Sequence, residues 1–246
     1  MEIPPISLLT PIFDRNKFLN LMICNISCFD YPRELITWEI LDSKSKDGKK
    51  GKKLFENQEQ INFLQKDLGI HIKYTYLDKP MQIGEKRNYL SKNADNKIMI
   101  NMDSDDIMFP SYLKFSVMNL KQQRVGLTGS NQMLFYDVKN EKFYAISCSA
   151  LRQLHEASFC YTKKHWKKMG GYETNSQGEG CKMIDGMWEK NIANLPIEKL
   201  MICVCHPENT IDKEKFLQGK TEIILHPQMM MLPHFQVAKN IVLGSK

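Results

Sequence analysis

The sequence contains no apolar run near the ~18–20 residues that a helix needs to cross a bilayer, although 42% of its 246 residues are hydrophobic. Its first residues, Met1-Glu2-Ile3-Pro4-Pro5, lack the basic segment and apolar core of a secretory leader. The seven cysteines are odd in number and irregularly spaced, so they predict neither a disulfide framework nor a four-cysteine zinc site. Glycine-rich phosphate loops and dinucleotide fingerprints are missing, as are internal repeats, low-complexity tracts and clear linkers. These absences predict a reduced, soluble, cytoplasmic protein: one large domain, or one domain with a small appendage.

Net charge is also scarce outside one place. Lys and Arg number 34 against 28 Asp and Glu, a formal net charge of +6. The window Lys44–Lys53 (KSKDGKKGKK) holds six lysines and one aspartate, a net of +5, so the rest of the chain is close to neutral. Nucleic-acid binding needs a broad basic stripe with interleaved aromatic or arginine contacts. One lysine loop is not such a stripe, and no nucleic-acid partner is expected.

What is present is an alternation. Ile6–Thr10 reads as a buried strand, and Asp14 as the cap of a helix with apolar positions Phe18, Leu21, Met22, Ile26 and Phe29. Ile36–Leu41 is a second strand, 54–68 an amphipathic helix, Ile70–Leu77 a third strand, Ile83–Lys92 a helix, and Ile98–Met102 a fourth strand. Strand–helix alternation of this kind predicts a parallel sheet with helices on both faces, and a ligand site beyond the carboxyl ends of its strands. Thr10–Asp14, Asp42–Lys53 and Asp103–Asp106 all follow strand ends and should meet there. Later residues predict a helix at about 111–122, mixed β segments to about 161, a helix over Lys163–Met169, a helix over Cys181–Asn191 and a strand over Met201–Cys205. The tail from Pro227 reads as irregular chain packed on the body. Cys24 and Cys28, one helical turn apart, read as core residues.

Asp103-Ser104-Asp105-Asp106 is the strongest chemical signal. Three carboxylates within four residues repel one another, and a strand end does not require them. A hard divalent cation such as Mg²⁺ or Mn²⁺ would neutralise them while leaving positions open for phosphate oxygens. Two chemistries use such a cluster. In a haloacid-dehalogenase-like phosphotransferase, Asp103 would be the nucleophile, but the DxDx(T/V) pattern fails at Ile107 and would belong near the start of the domain. In the other chemistry, the aspartates hold a metal that binds a nucleotide-sugar diphosphate.

The ordered series Gly84-Glu85-Lys86-Arg87-Asn88, Ile98–Met102, Asp103-Ser104-Asp105-Asp106 and Pro110 resembles the GT-A glycosyltransferases of family 2. Tyr31-Pro32 and Trp38–Ser43 upstream, and Gly170-Gly171-Tyr172 and Gly178-Glu179-Gly180 downstream, extend the resemblance to about residues 6–212. It implies a Rossmann-like α/β fold with a mostly parallel central sheet, helices on both faces and a smaller mixed-β acceptor side. A donor-binding half would span 1–110 and an acceptor half 111–212, with 213–246 as a C-terminal extension. The implied reaction is metal-dependent inverting transfer from a nucleoside diphosphate sugar, expected to be a UDP-sugar, to a glycan or protein-linked hydroxyl.

By this resemblance Thr10 and Pro11 would line the nucleotide pocket, Asp42 would bind the base and Arg87 would contact the nucleotide. Asp103, with Ser104 beside it, would face the ribose and metal, and Asp105 would ligate the Mn²⁺ or Mg²⁺. His206, in a segment similar to the family's His-x-x-Asn-Thr, would reach the metal or diphosphate. The attacking hydroxyl needs a general base, for which Glu179 stands first and Asp185 second. A non-catalytic nucleotide-sugar or glycan-binding module of the same fold is the remaining alternative.

Overall fold

The computed structural model describes residues 2–44, 52–147, 154–186, 191–209, 213, 217 and 220–244. Its first half alternates β1 (Ile6–Ile12), α1 (Leu19–Cys28), β2 (Ile36–Ser43), α2 (Gln58–Leu68), β3 (His71–Leu77), α3 (Ile83–Asn93) and β4 (Ile98–Asn101). The second half begins with β5 (Ile107–Met108), α4 (Tyr112–Gln122), β6 (Leu127–Gly129), β7 (Gln132–Asp137) and β8 (Lys142–Ser147). It continues with β9 (Cys160–Thr162), α5 (Lys163–Met169), α6 (Cys181–Ile184), β10 (Ile192–Asn194), β11 (Met201–Cys205) and β12 (Glu222–Ile223). Two helices, α7 (Pro227–Met230) and α8 (Pro233–Leu243), close the chain.

A seven-stranded sheet has the order β10-β6-β9-β4-β1-β2-β3. β1 pairs in parallel with β2 and β4, and β2 with β3, while β9 is antiparallel to both β4 and β6. The fold is therefore α/β with a mostly parallel central sheet. A second sheet, β12-β8-β7-β11-β5, supplies the mixed part.

Period-2 alternation decides which face each strand residue covers. Leu8, Trp38, Ile40 and Ile100 join the larger core with Leu21, Ile26, Leu64 and Val117 from α1, α2 and α4. Leu9, Leu41 and Met99 point the other way, into a smaller core with Leu90 of α3, Phe159 and Tyr172. Helices thus cover both faces, as the alternation predicts.

Four local expectations need correction. Asp14 does not cap α1: its φ of 48° places it in the left-handed region, and a 3-10 turn over Asn16–Phe18 precedes the helix. α2 begins at Gln58 because the Asn57 side chain accepts from the Gln60 amide, so Leu54 and Phe55 are buried ahead of it. The Cys181 helix stops at Ile184, before exposed Asp185 and Gly186 at φ 65°, and residues 187–190 lie outside the described residues. The tail is helical rather than irregular: prolines open α7 and α8, and α8 packs on α1.

Candidate active site

The parallel register brings the carboxyl ends of β1, β2 and β4 to one edge. Ile12 stands beside Asp42, Asp42 beside Tyr76, and the Met102 amide donates to the Leu9 carbonyl. Beyond β1 and β4 lies a cavity of about 360 Å³. Pro11, Ile12 and Phe13 form one wall and Asp103, Ser104 and Asp105 another, with Arg15, Lys86, Ser176 and Glu208 at the margins.

Asp103–Asp106 joins β4 of the first sheet to β5 of the second. β11 pairs antiparallel with β5, Met201 opposite Met108, so its end returns to the cluster and delivers His206. The His206 Nδ1 accepts from the Glu208 amide at 3.3 Å, which leaves Nε2 to carry the proton and donate to Asp105 Oδ2 at 2.9 Å. Arg15 Nε lies 3.5 Å from the same oxygen, and Arg15 donates to the Glu208 carbonyl at 2.6 Å. Burial pushes the Asp105 carboxyl up, but the His206 hydrogen bond and the charges of Lys213 and Arg15 outweigh it and hold it well below the usual range. Asp106 divides from its neighbours. It is buried, accepts from the Val204 amide at 3.2 Å, and is pushed up to about 7 by burial, with Lys213 opposing and Asp105 adding to the shift. Its carboxylate thus serves the junction between the sheets.

Arg87 is 1% exposed and does not reach the cavity wall. Its Nη2 donates to both Asp103 oxygens, at 2.9 and 3.1 Å, and its Nε donates to Glu179 Oε1 at 3.0 Å. Burial alone would lower the guanidinium pKa, but Asp103 and Glu179 together raise it well above its ordinary value. Nη1 is buried with no hydrogen-bond partner among the described residues.

The loop carrying Glu179 is fastened to α3 by the same five-residue run. The Gly84 amide donates to the Asn175 carbonyl at 3.0 Å, and a Cβ at Gly84 would sit 1.7 Å from the Glu173 carbonyl oxygen. Asn88 donates to the Tyr172 carbonyl and accepts from the Tyr172 amide and the Trp166 indole. Gly171, at φ 81°, leaves room for the Asn88 side chain. Glu179 itself is buried, and burial pushes its carboxyl up, with Arg87 opposing and Glu156 adding to the rise.

Other expected residues fall differently. Pro11 lines the cavity, whereas Thr10 is in the core, its hydroxyl accepting from the Trp38 indole at 2.9 Å. Asp42 is buried off the cavity wall, accepting from Tyr74 Oη at 2.8 Å and the Leu54 amide at 3.0 Å. Burial raises its pKa against those hydrogen bonds. Most of the lysine loop, residues 45–51, lies outside the described residues.

Sequence reasoning missed Lys86, Arg15, Ser176 and Glu208. Lys86 is buried on the cavity margin, donates to the Ile12 carbonyl, and is lowered to about 8 by burial, with Asp42 opposing. It sits inside the Gly84–Asn88 run, and Arg15 just follows β1, so position relative to strand ends was the available signal. Glu208 had none.

A hard divalent cation is compatible with this donor set. Asp105, on the wall of a cavity with room for further oxygens, offers a carboxylate held ionised, and His206 would join as a ligand on giving up the Nε2 proton that it donates to Asp105. Asp103 is less available, because both of its oxygens accept from Arg87.

No protein-family model matches the chain, and no curated protein sequence does. Solved structures do match. S. aureus TarS 1-349 in complex with UDP-GlcNAc superposes with a TM-score of 0.61 at 14% identity, covering 87% of this chain and 64% of that one. The mannosyltransferase PcManGT from Pyrobaculum calidifontis, in complex with GDP-Man and Mn²⁺, gives 0.61 at 14% identity, covering 99% of this chain and 71% of that one. The chain has the GT-A fold. It spans just under two thirds of the length of the TarS 1-349 structures. Within that GT-A frame, the cavity, the Asp103–Asp105 wall and His206 share the carboxyl edge of the central sheet, while Asp185 stands exposed at the end of α6.

Proposed function

We propose that the chain is an inverting glycosyltransferase of the family 2 type, moving a hexosyl group from a nucleoside diphosphate sugar to an acceptor hydroxyl. The observation that carries this reading is the cavity at the ends of β1 and β4, which combines two aspartates, Asp103 and Asp105, with the cations Arg15 and Lys86. A neutral ligand would not favour such a wall. A diphosphate accompanied by a divalent cation would, because the cation meets the carboxylates and the phosphate oxygens meet Arg15 and Lys86. The neighbours' UDP-GlcNAc and GDP-Man agree with a donor of this class.

On this reading Asp105 and His206 hold Mn²⁺ or Mg²⁺. When bound, the cation supplies Lewis-acid stabilisation of the negative charge developing on the leaving diphosphate. Ser104 and Pro11 shape the donor site, and Asp42 and Thr10 support the strand ends behind it. Glu179 is the proposed base. It takes the proton from the acceptor hydroxyl, whose oxygen attacks the anomeric carbon from the face opposite the diphosphate; the bond to the diphosphate breaks and the nucleoside diphosphate leaves. A buried carboxylate with a raised pKa is a better proton acceptor than an exposed one, which sets Glu179 ahead of Asp185. Arg87 holds Glu179 and Asp103 in fixed relation. Residues 1–110 then serve as the donor half, 111–212 as the acceptor half and 213–246 as an extension. The phosphotransfer reading would need an Asp103 oxygen free to attack, yet both are engaged by Arg87.

The test is a nucleotide-sugar screen with Mn²⁺ or Mg²⁺, reading release of nucleoside diphosphate, beside thermal shifts with UDP or GDP. One donor should be turned over, the matching diphosphate with metal should raise the melting temperature, and Asp105→Ala should remove the metal-dependent part. A protein indifferent to every nucleoside diphosphate with metal overturns the reading.

A further inference from the structure

A second cluster lies away from the cavity, where α8 packs on α1. Cys24 and Cys28 stand one turn apart on α1, and α8 brings His234 against them. One ligand atom from each of the three lies within 4.8 Å of the other two, the one trio of metal-ligating side chains meeting that limit among the described residues. His234 is fully buried, and neither ring nitrogen has a hydrogen-bond partner among those residues. An imidazole shut away from water with both nitrogens idle is a costly arrangement, and buried polar groups are rarely left so. The two sulfurs within 4.8 Å of it are poor hydrogen-bond partners and good metal ligands.

We propose that Cys24, Cys28 and His234 form a binding site for a thiolate-preferring divalent cation of the zinc class, which clips the C-terminal helix onto the body of the fold. Two sulfurs and one imidazole select Zn²⁺ over the hard Mg²⁺ or Mn²⁺ suited to carboxylates. Bonds of about 2.3 Å to sulfur and 2.0 Å to nitrogen place tetrahedral ligand atoms about 3.5–3.8 Å apart. From a spread of at most 4.8 Å, closure needs about 1 Å of side-chain adjustment. On binding, each thiol gives its proton to solvent, two thiolates balance the cation's two positive charges, and a water fills the fourth position. The cysteines are only half-buried, which leaves an entry path.

The experiment uses the full chain, reduced and stripped with chelator, and titrated with Co²⁺ and then Zn²⁺. One equivalent of Co²⁺ should produce a thiolate charge-transfer band that Zn²⁺ abolishes. Cys24→Ser and Cys28→Ser should each weaken binding at least tenfold, and Asp105→Ala should leave it unchanged. Alkylation read by peptide mass spectrometry covers the case of a variant that fails to fold: in the unmodified chain Zn²⁺ should protect Cys24 and Cys28 but not exposed Cys181. Absence of a charge-transfer band, protection confined to Cys203 and Cys205, or equal binding by folded Cys24→Ser and Cys28→Ser proteins would each overturn the proposal.

Discussion

At the scale of single residues, Arg87 is the member on which the others depend. Breaking a buried ion pair by deleting one partner costs roughly 3–5 kcal/mol, because the abandoned charge stays desolvated. Arg87→Met abandons two carboxylates, Asp103 and Glu179, and should lower stability by about that amount in urea denaturation. Glu179→Gln removes the proposed proton acceptor and the charge that Arg87 pairs with, while keeping an oxygen to accept from Arg87 Nε: donor binding by thermal shift should persist while kcat falls roughly 10²–10⁴-fold. The pH dependence follows from the sign of its shift. Burial holds the folded Glu179 pKa above its ordinary value of 4.5, and the base works only when ionised. The rate should therefore fall on acidification through an apparent pKa higher than that of a free glutamate. A kcat profile flat across that limb, or full turnover by the Gln variant, would move the role to Asp185. Asp103 and Glu179 were visible in the sequence as acids without a structural duty. That one arginine joins them was not, since the three lie 16 and 92 positions apart along the chain.

Among elements, α3 shows how the site is assembled. Gly84-Glu85-Lys86-Arg87-Asn88 reads as a helix start with a motif on it, and the helix forms, with Glu85 accepting from the Gln82 amide at 2.7 Å. Its glycine serves a contact rather than flexibility. Gly84→Ala places a methyl group 1.7 Å from the Glu173 carbonyl oxygen, so the 173–179 segment must retreat by more than 1 Å. Misplacement of a catalytic group on that scale costs about 10²-fold in rate. Gly84→Ala should therefore lose kcat by about that factor, with a stability cost near the 1–3 kcal/mol of ordinary overpacking. An unchanged kcat would dissociate the 173–179 segment from catalysis. The elements of the first half were legible because each strand and helix repeats its own hydrophobic period. Helix starts were less so: at Asp14 backbone geometry overrode a favourable residue type, and at 54–57 two buried apolar residues extended the apparent period past the true cap. The tail misled for a related reason. Its prolines suggest irregular chain, but at the first turn of a helix they are compatible with α7 and α8.

Taken as a whole molecule, the chain concentrates its formal net charge in one stretch, Lys44–Lys53. Lys44 follows the end of β2, and Lys52 stands two residues before the Leu54 amide that donates to Asp42. Both ends of a segment carrying most of the +6 are thus tied to the edge of the sheet on which the cavity opens. Lys44 is paired with Asp78 at 3.3 Å, and the Lys53 ammonium sits over the Tyr76 ring. A cluster of like charge beside a site raises the local concentration of an oppositely charged ligand, over a range that shrinks from about 30 Å at 0.01 M salt to about 8 Å at 0.15 M. Changing Lys46, Lys49, Lys50 and Lys52 together to glutamine should therefore raise the donor KM several-fold at low salt. The difference should close as salt approaches the physiological range, with kcat unchanged, because long-range attraction acts on encounter and not on the chemical step. Donor KM measured at both ionic strengths separates this from direct contact: a loss that persists at high salt would mean that lysines of the segment touch the diphosphate. A loss at neither would leave the segment without a part in donor capture, and attraction would then fall to Arg15 and Lys86, the two cations on the cavity margin.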